Sequence, residues 1–175
     1  DEQDRLVRYC PEDDVSGEPL LTTELPCFAY TYNATGQLET KTDLHDAAET
    51  GYEVDEFENL LRVTLPDTRV VSYEVDARNR RVGRSVDGVV TQRWLYAGQM
   101  EPVAELDANN ALVATYLYAT KGHVPDYMVK GGVTYRIVSD HLGSVRLVVN
   151  TSTGAVGQRM EYDEWGNVLA DTAPG

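Results

Sequence analysis

One short word recurs along this 175-residue chain at almost constant spacing. It reads YTYNATGQL at 30–38, YEVDEFENL at 52–60, YEVDARNRR at 73–81 and WLYAGQMEP at 94–102. It continues as YLYATKGHV at 116–124, IVSDHLGSV at 137–145 and MEYDEWGNV at 160–168. Take the fourth residue of each word as a reference: Asn33, Asp55, Asp76, Ala97, Ala119, Asp140 and Asp163. The intervals between them are 22, 21, 21, 22, 21 and 23 residues. A period held that closely is the signature of an array of like supersecondary units.

The columns around the reference identify the unit. Three residues before it stand Tyr30, Tyr52, Tyr73, Trp94, Tyr116, Ile137 and Met160; one before it stand Tyr32, Val54, Val75, Tyr96, Tyr118, Ser139 and Tyr162. Positions two apart share one face of a strand, so these columns make an aromatic ladder. Five of the seven reference residues are Asp or Asn, which bond backbone amides two residues on and stabilise tight turns. Three residues after the reference come Gly36, Asn79, Gly122, Gly143 and Gly166, types that tolerate positive φ, with Glu58 and Met100 as exceptions. Five after it, Leu38, Leu60, Val124, Val145 and Val168 restart a strand, while Arg81 and Pro102 break the column.

Each unit therefore reads as strand, tight turn, strand, second turn. The second turns lie at 86–89, 107–111, 130–133 and 151–155, in words rich in Gly, Asn and Asp. The expected fold is all-β: stacked antiparallel hairpins forming a long, twisted, curved sheet, with little helix. The segment 42–51 has the best helical pattern, although a turn within its own unit suits it better. Residues 1–29 form an irregular N-terminal or edge segment, 30–170 the repeat module and 171–175 a tail. The first residue is Asp1, and the chain reads as a piece of something longer. Cys10 and Cys27 stand at no zinc-ligand spacing, and a disulfide and two free thiols are equally compatible with them.

A hairpin of this size cannot bury its aromatic face alone, and stacking supplies the missing neighbour. The 11 tyrosines against 2 phenylalanines suit half-buried strands, with ring inward and hydroxyl near water. The formal net charge of −14 repels phosphate backbones and anionic lipid, so neither nucleic acid nor membrane insertion is expected. Unpaired sheet edges make edge-to-edge self-association of the isolated segment a further expectation.

The pattern Tyr-x-Tyr-Asp-x-x-Gly-x-Leu/Val at this spacing resembles the YD repeat of the Rhs (rearrangement hot spot) family. The stretches 86–119 and 140–168 carry the resemblance most closely, and it extends from Tyr30 to Val168. The family includes polymorphic toxins and is similar to shell subunits of Tc toxins and to teneurins. The resemblance implies a sheet that spirals round a cavity and encloses a C-terminal toxin, with the chain-cleaving aspartates in a core that follows the repeats. The partners it implies are the rest of a longer, secreted or surface-exposed chain: that core and its toxin domain.

Candidate chemistry is weighed against this frame. Ser139, Asp140, His141 and Ser144 are triad residue types, yet neighbours on a strand face opposite ways, and Asp140 sits at the reference position. No catalytic residue, cofactor or metal is expected. Asp13, Asp14 and Glu18 in PEDDVSGE could ligate calcium, but a solvated acidic loop suits them better. Arg84 and the DARNRR run at 76–81 are expected to pair with nearby acids. Phe57 and Trp165, two after the reference, are expected to fold over the next hairpin rather than stand as stacking platforms. The leading reading is a structural shell module; the alternative is an adhesion module that binds carbohydrate or a protein.

Overall fold

The structure is a computed structural model and describes residues 5–10, 27–164 and 166–173. The acidic run 11–18 and Trp165 lie outside the described residues. The described residues hold fifteen strands and no helix, and the strands follow one another across the sheet in chain order. Every strand pair whose register is given is antiparallel.

The chain divides into two compact units, Asp1–Val90 and Thr91–Gly175. The first holds β1 (Arg8–Tyr9), β2 (Phe28–Tyr32), β3 (Leu38–Asp43), β4 (Glu49–Val54), β5 (Leu60–Thr64), β6 (Val70–Val75) and β7 (Arg81–Val86). Strand β8 (Val89–Tyr96) runs from the first unit into the second. There follow β9 (Pro102–Leu106), β10 (Leu112–Leu117), β11 (Tyr127–Lys130), β12 (Val133–Ser139), β13 (Val145–Asn150), β14 (Val156–Tyr162) and β15 (Val168–Asp171).

Turn chemistry explains where the strands stop. Asp87 and Gly88 have φ of 50° and 78°, and Gly131 and Gly132 have 59° and 76°. Both pairs make the two-residue hairpin loop whose residues need positive φ. The 42–51 segment is a turn between β3 and β4. There the Asp43 carboxylate accepts the His45 amide at 2.9 Å, and Asp46 accepts that of Ala48 at 2.9 Å. Side chains that satisfy amides this way compete with the helix, and here they prevail.

Within each unit the sheet is one layer, because strands touch only their sequence neighbours. Among the described residues the buried apolar side chains are few: Cys27, Val71, Ala104, Ala114, Val124 and Ile137. The ladder residues Tyr30, Tyr32, Tyr52, Tyr73, Trp94, Tyr96, Tyr116, Tyr118 and Tyr162 are all half-buried. Stability therefore comes from cross-strand contact, worth about 0.2–1 kcal/mol per pair, rather than from a closed core.

Part of the 1–29 stretch joins the sheet. Arg8 pairs with Ala29 and Tyr9 with Phe28, and a disulfide links Cys10 to Cys27. Closing a loop of this length is worth about 3 kcal/mol in the chain-entropy account. That is large beside a two-residue strand.

Tyr116 sits on the ladder, and its hydroxyl donates to Glu105 Oε2 at 3.0 Å. Tyr127 lies off the ladder, 37% exposed, with the Arg136 guanidinium 4.8 Å from its ring centroid. Replacing Tyr116 by Ala is expected to cost about 2–3 kcal/mol of the partly buried ring. Replacing Tyr127 by Ala should cost about 1 kcal/mol or less. Urea denaturation midpoints check the ranking, and equal midpoints would contradict the ladder.

Candidate functional site

The recurring structural site is the turn at each reference position. At Asn33, Asp55, Asp76, Asp140 and Asp163 the backbone closes in one way. The reference amide donates to the carbonyl four residues on at 2.9–3.0 Å, and the amide three residues on donates back at 3.0–3.2 Å. The side chain then takes two more amides, two and four residues on. Asp55 Oδ1 accepts Phe57 and Asn59 at 2.9 and 2.8 Å; Asp76 Oδ1 accepts Arg78 and Arg80 at 2.9 and 3.0 Å. Asp140 Oδ1 accepts Leu142 and Ser144, both at 3.0 Å, and Asn33 Oδ1 accepts Thr35 and Gln37 at 3.1 and 3.0 Å. Asp163 Oδ1 accepts the Asn167 amide at 2.8 Å.

The second polar atom of the cap is pinned from four residues on, a feature that the repeat columns did not include. Asn59 and Asn167 donate to Asp55 and Asp163 at 2.8 and 2.7 Å, and Asn33 donates to Gln37 at 2.9 Å. Arg80 grips Asp76 through Nε at 2.8 Å and Nη2 at 2.7 Å. At Asp140 the same task falls to Arg146, at 2.9 Å through both Nε and Nη2. The signal was present as an amide or guanidinium at the fourth position after most caps. It also accounts for part of the basic DARNRR run, whose Arg81 stacks 3.9 Å from the centre of the Tyr73 ring.

These contacts set the titration of the caps. The Arg80 hydrogen bond, with those of the Arg80 and Arg78 amides, holds Asp76 down to about 2 against burial that opposes it. At Asp140 burial likewise pushes upward, but Arg146 and the Ser144 and Leu142 amides outweigh it and lower the pKa. Asp55 is lowered chiefly by the Asn59 side chain.

The third residue after the reference takes positive φ at Gly36 (89°), Glu58 (67°), Asn79 (59°), Gly143 (99°) and Gly166 (85°). Glu58 shows that the turn, not the residue type, dictates the conformation. Gly122 does not take it, because the unit around Ala119 is built differently. Alanine has no cap to offer, and Asp126 replaces it from the far side of a longer loop. The Asp126 carboxylate accepts the amides of Ala119 (2.8 Å) and Thr120 (2.7 Å), the Thr120 hydroxyl (2.7 Å) and Arg136 Nη1 (2.8 Å). The Thr120 amide and hydroxyl, then the Ala119 amide, hold its pKa far below the carboxylate range, with Arg136 adding to them. Asp126 is the one buried charged side chain among the described residues, at 4% exposure, and it lies off the repeat columns.

Asp126 borders a cleft of about 120 Å³ that also includes Lys121 and Ser139. Lys121 Nζ donates to Ser139 Oγ at 2.8 Å and to the Asp140 carbonyl at 3.0 Å. A lysine giving protons to two oxygens is not a base. His141 is exposed and makes no hydrogen bond to Ser139, Asp140 or Ser144. The triad residue types are thus not assembled, and the Asp140 carboxylate is occupied by its own turn. Among the described residues no cluster of His, Cys, Asp and Glu could hold a metal ion.

On the ladder, burial first and then the phenols of Tyr32, Tyr52 and Tyr9 raise the pKa of Tyr30. Burial, then Glu101 and Tyr96, does the same for Tyr118. The phenols are mutual neighbours across strands. Phe57 departs from expectation: at the tip of its turn it is 73% exposed rather than folded over a neighbouring hairpin.

A single-layer antiparallel sheet whose hairpins are closed by Asp or Asn caps under a tyrosine ladder is a YD-repeat structural module. The sequence model of the teneurin YD-shell matches residues 1–175, and the chain belongs to that family. Among curated proteins it is similar to the tRNA3(Ser)-specific nuclease WapA of Bacillus spizizenii, 28% identical over 118 residues. It is equally similar to the tRNA nuclease WapA of Bacillus subtilis strain 168, again 28% identical over 118 residues. Each match covers 66% of this chain and 5% of the relative's length. Solved structures similar to it include TcdB2-TccC3-TEV, with 14% identity, a TM-score of 0.41 and coverage of 82% of this chain and 9% of that one. TcdB2-TccC3 without its hypervariable C-terminal region matches with 12% identity and a TM-score of 0.34, covering 98% and 11%.

Acid titration tests the caps. The Asp76 pKa is depressed below its ordinary 3.8, so its contribution to stability is complete above about pH 4 and lost as pH falls toward 2. Thermal melts of Asp76→Asn across that window should show a shallower acid loss than the parent chain. Asp126→Asn should lower the melting temperature at neutral pH more than Asp67→Asn does. Asp67 is paired only with its exposed neighbour Arg69, and such pairs count for little.

Proposed function

We propose that the chain is a stretch of wall: a structural segment of a larger exported protein, whose sheet helps to enclose or display a C-terminal toxin or effector. Membership of the YD-shell family over the whole length carries this reading. The one-layer sheet supports it, because a layer with two accessible faces suits a partition better than a self-contained domain. The face opposite the ladder changes along the chain. Two residues before the reference stand Thr31, Glu53 and Glu74 in the first unit, then Leu95, Leu117 and Val138 in the second, where they are 53%, 48% and 40% exposed. An exposed apolar column is the surface that an unfolded segment would contact.

The curated relatives are named as tRNA nucleases, and this chain matches only 5% of their length. We assign such activity to other parts of proteins of that size, and no catalytic role to this segment. Its partners are then the remainder of its own chain. The acidic charge argues against nucleic acid as a ligand of the sheet itself. A second reading, recognition of carbohydrate or of a protein at turn tips, draws on the exposed Phe57 ring.

Limited proteolysis of the longer protein that contains this segment tests the first reading. Its C-terminal domain should be cleaved several-fold more slowly in the intact protein than when expressed alone. Trp94→Ala with Tyr116→Ala should erase that protection. Equal cleavage rates in the intact protein and the isolated domain would refute enclosure.

A further inference from the structure

The edge strand β1 has little of its own to hold it. It pairs through two residues, and Leu6, Val7 and Tyr9 remain 53%, 48% and 49% exposed. Beyond that pairing, the Val7 carbonyl accepts the Tyr30 amide at 3.0 Å and the Leu6 carbonyl accepts the Tyr32 hydroxyl at 2.7 Å. The Arg5 guanidinium lies 5.0 Å from the Tyr32 ring centroid. The strand it covers is the opposite kind. β2 reads FAYTY: five residues with neither charge nor proline, and three aromatic rings. An uncovered edge of that composition invites pairing with another chain. β1 has the features of a protective edge: it is short, and Arg5 and Arg8 bring charge to it.

We propose that the Cys10–Cys27 disulfide gates an interaction surface. Oxidised, it holds β1 against the outer edge of β2; reduced, it releases that edge to pair antiparallel with β2 of a second copy of the chain. The occupant is a second copy because a two-fold pairing presents the same uncharged strand from both sides and needs no other sequence. The chemistry is ordinary thiol exchange with a dithiol. Cys27 is fully buried and Cys10 only partly, so the incoming thiolate attacks Cys10 Sγ and Cys27 leaves as thiolate and takes up a proton. The second thiol of the dithiol then displaces Cys10 from the mixed disulfide, and the reductant departs as its own cyclic disulfide. Arg8 Nε, 3.3 Å from Cys10 Sγ, places a cation beside the released thiolate. The gate does not depend on the shell reading, since it needs only the edge and the bond.

The test is the mass of the chain in solution, by light scattering, with and without dithiothreitol, alongside hydrogen exchange at the Tyr30 amide. The oxidised chain should be a monomer. The reduced chain should be a dimer that reverts on reoxidation, and Cys10→Ser with Cys27→Ser should be dimeric without reductant. Thr31→Lys, which places a charge on β2 at an exposed position, should leave the oxidised chain folded and keep the reduced chain monomeric. An unchanged mass on reduction would overturn the proposal. So would dimerisation that Thr31→Lys does not affect, because the contact would then lie elsewhere. Loss of the sheet's circular dichroism on reduction would also overturn it, making the bond a staple of the fold rather than a gate.

Discussion

Two amide protons converging on one side-chain oxygen organise this protein. A capped turn leaves no backbone donor of its loop unsatisfied, and it does so with residues adjacent in the chain. The turn then determines the register of the hairpin beyond it. In six of the units the residue before the reference pairs with the fifth after it: Tyr32 with Leu38, Val54 with Leu60, Val75 with Arg81, Tyr96 with Pro102, Ser139 with Val145 and Tyr162 with Val168. The register slips by one residue at that same point every time. A slip would throw side chains onto the wrong face if it varied. Repeated identically, it keeps every tyrosine of the ladder on one face.

Much of this was legible because it is local. The period, the caps, the second turns and the ladder all rest on residues within a few positions of one another. What escaped was of two kinds. The pinning of the cap from the fourth position was visible as Gln37, Asn59, Arg80 and Asn167, but its meaning depends on where the second oxygen points. The replacement of the missing cap at Ala119 was not visible at all. Asp126 lies seven residues on, outside every column, and only the fold of the 119–126 loop brings it to the Ala119 and Thr120 amides. The cysteine pairing belongs to the second kind, since two thiols seventeen residues apart are bonded only once β1 is docked on β2. Phe57 is exposed for a simpler reason: its turn is closed by backbone and Asp55, which leaves the ring no part in it.

A single layer changes what the aromatic residues do. In a two-layer fold they would fill a core; here they line a face at half exposure, and the hydroxyls keep partners. Tyr116 reaches Glu105, and Tyr118 reaches the Pro102 carbonyl at 3.0 Å. Tyrosine outnumbers phenylalanine because each ring must be apolar toward its neighbours and polar toward whatever lies beyond the face. A module built this way gains from length, since each added hairpin covers its predecessor. That is the economy of a wall, and it explains why a small share of a very large relative can carry a complete structural pattern.

The strong acidity of the chain follows from the same turn chemistry. Asp55, Asp76, Asp107, Asp140 and Asp163 cap hairpins; Asp43, Asp46 and Asp87 satisfy amides in other turns; Asp126 stands in for a cap. Each repeat needs an oxygen acceptor at its turn, and aspartate, being ionised, is the stronger one. An array of repeats therefore accumulates negative charge in proportion to its length, whatever it encloses or meets. Arginine offsets only some of it, at Asp76, Asp126 and Asp140. The net charge of −14 thus records how the hairpins close. It is weak ground for inferring a cationic partner, because the carboxylates that create it are already engaged by the backbone.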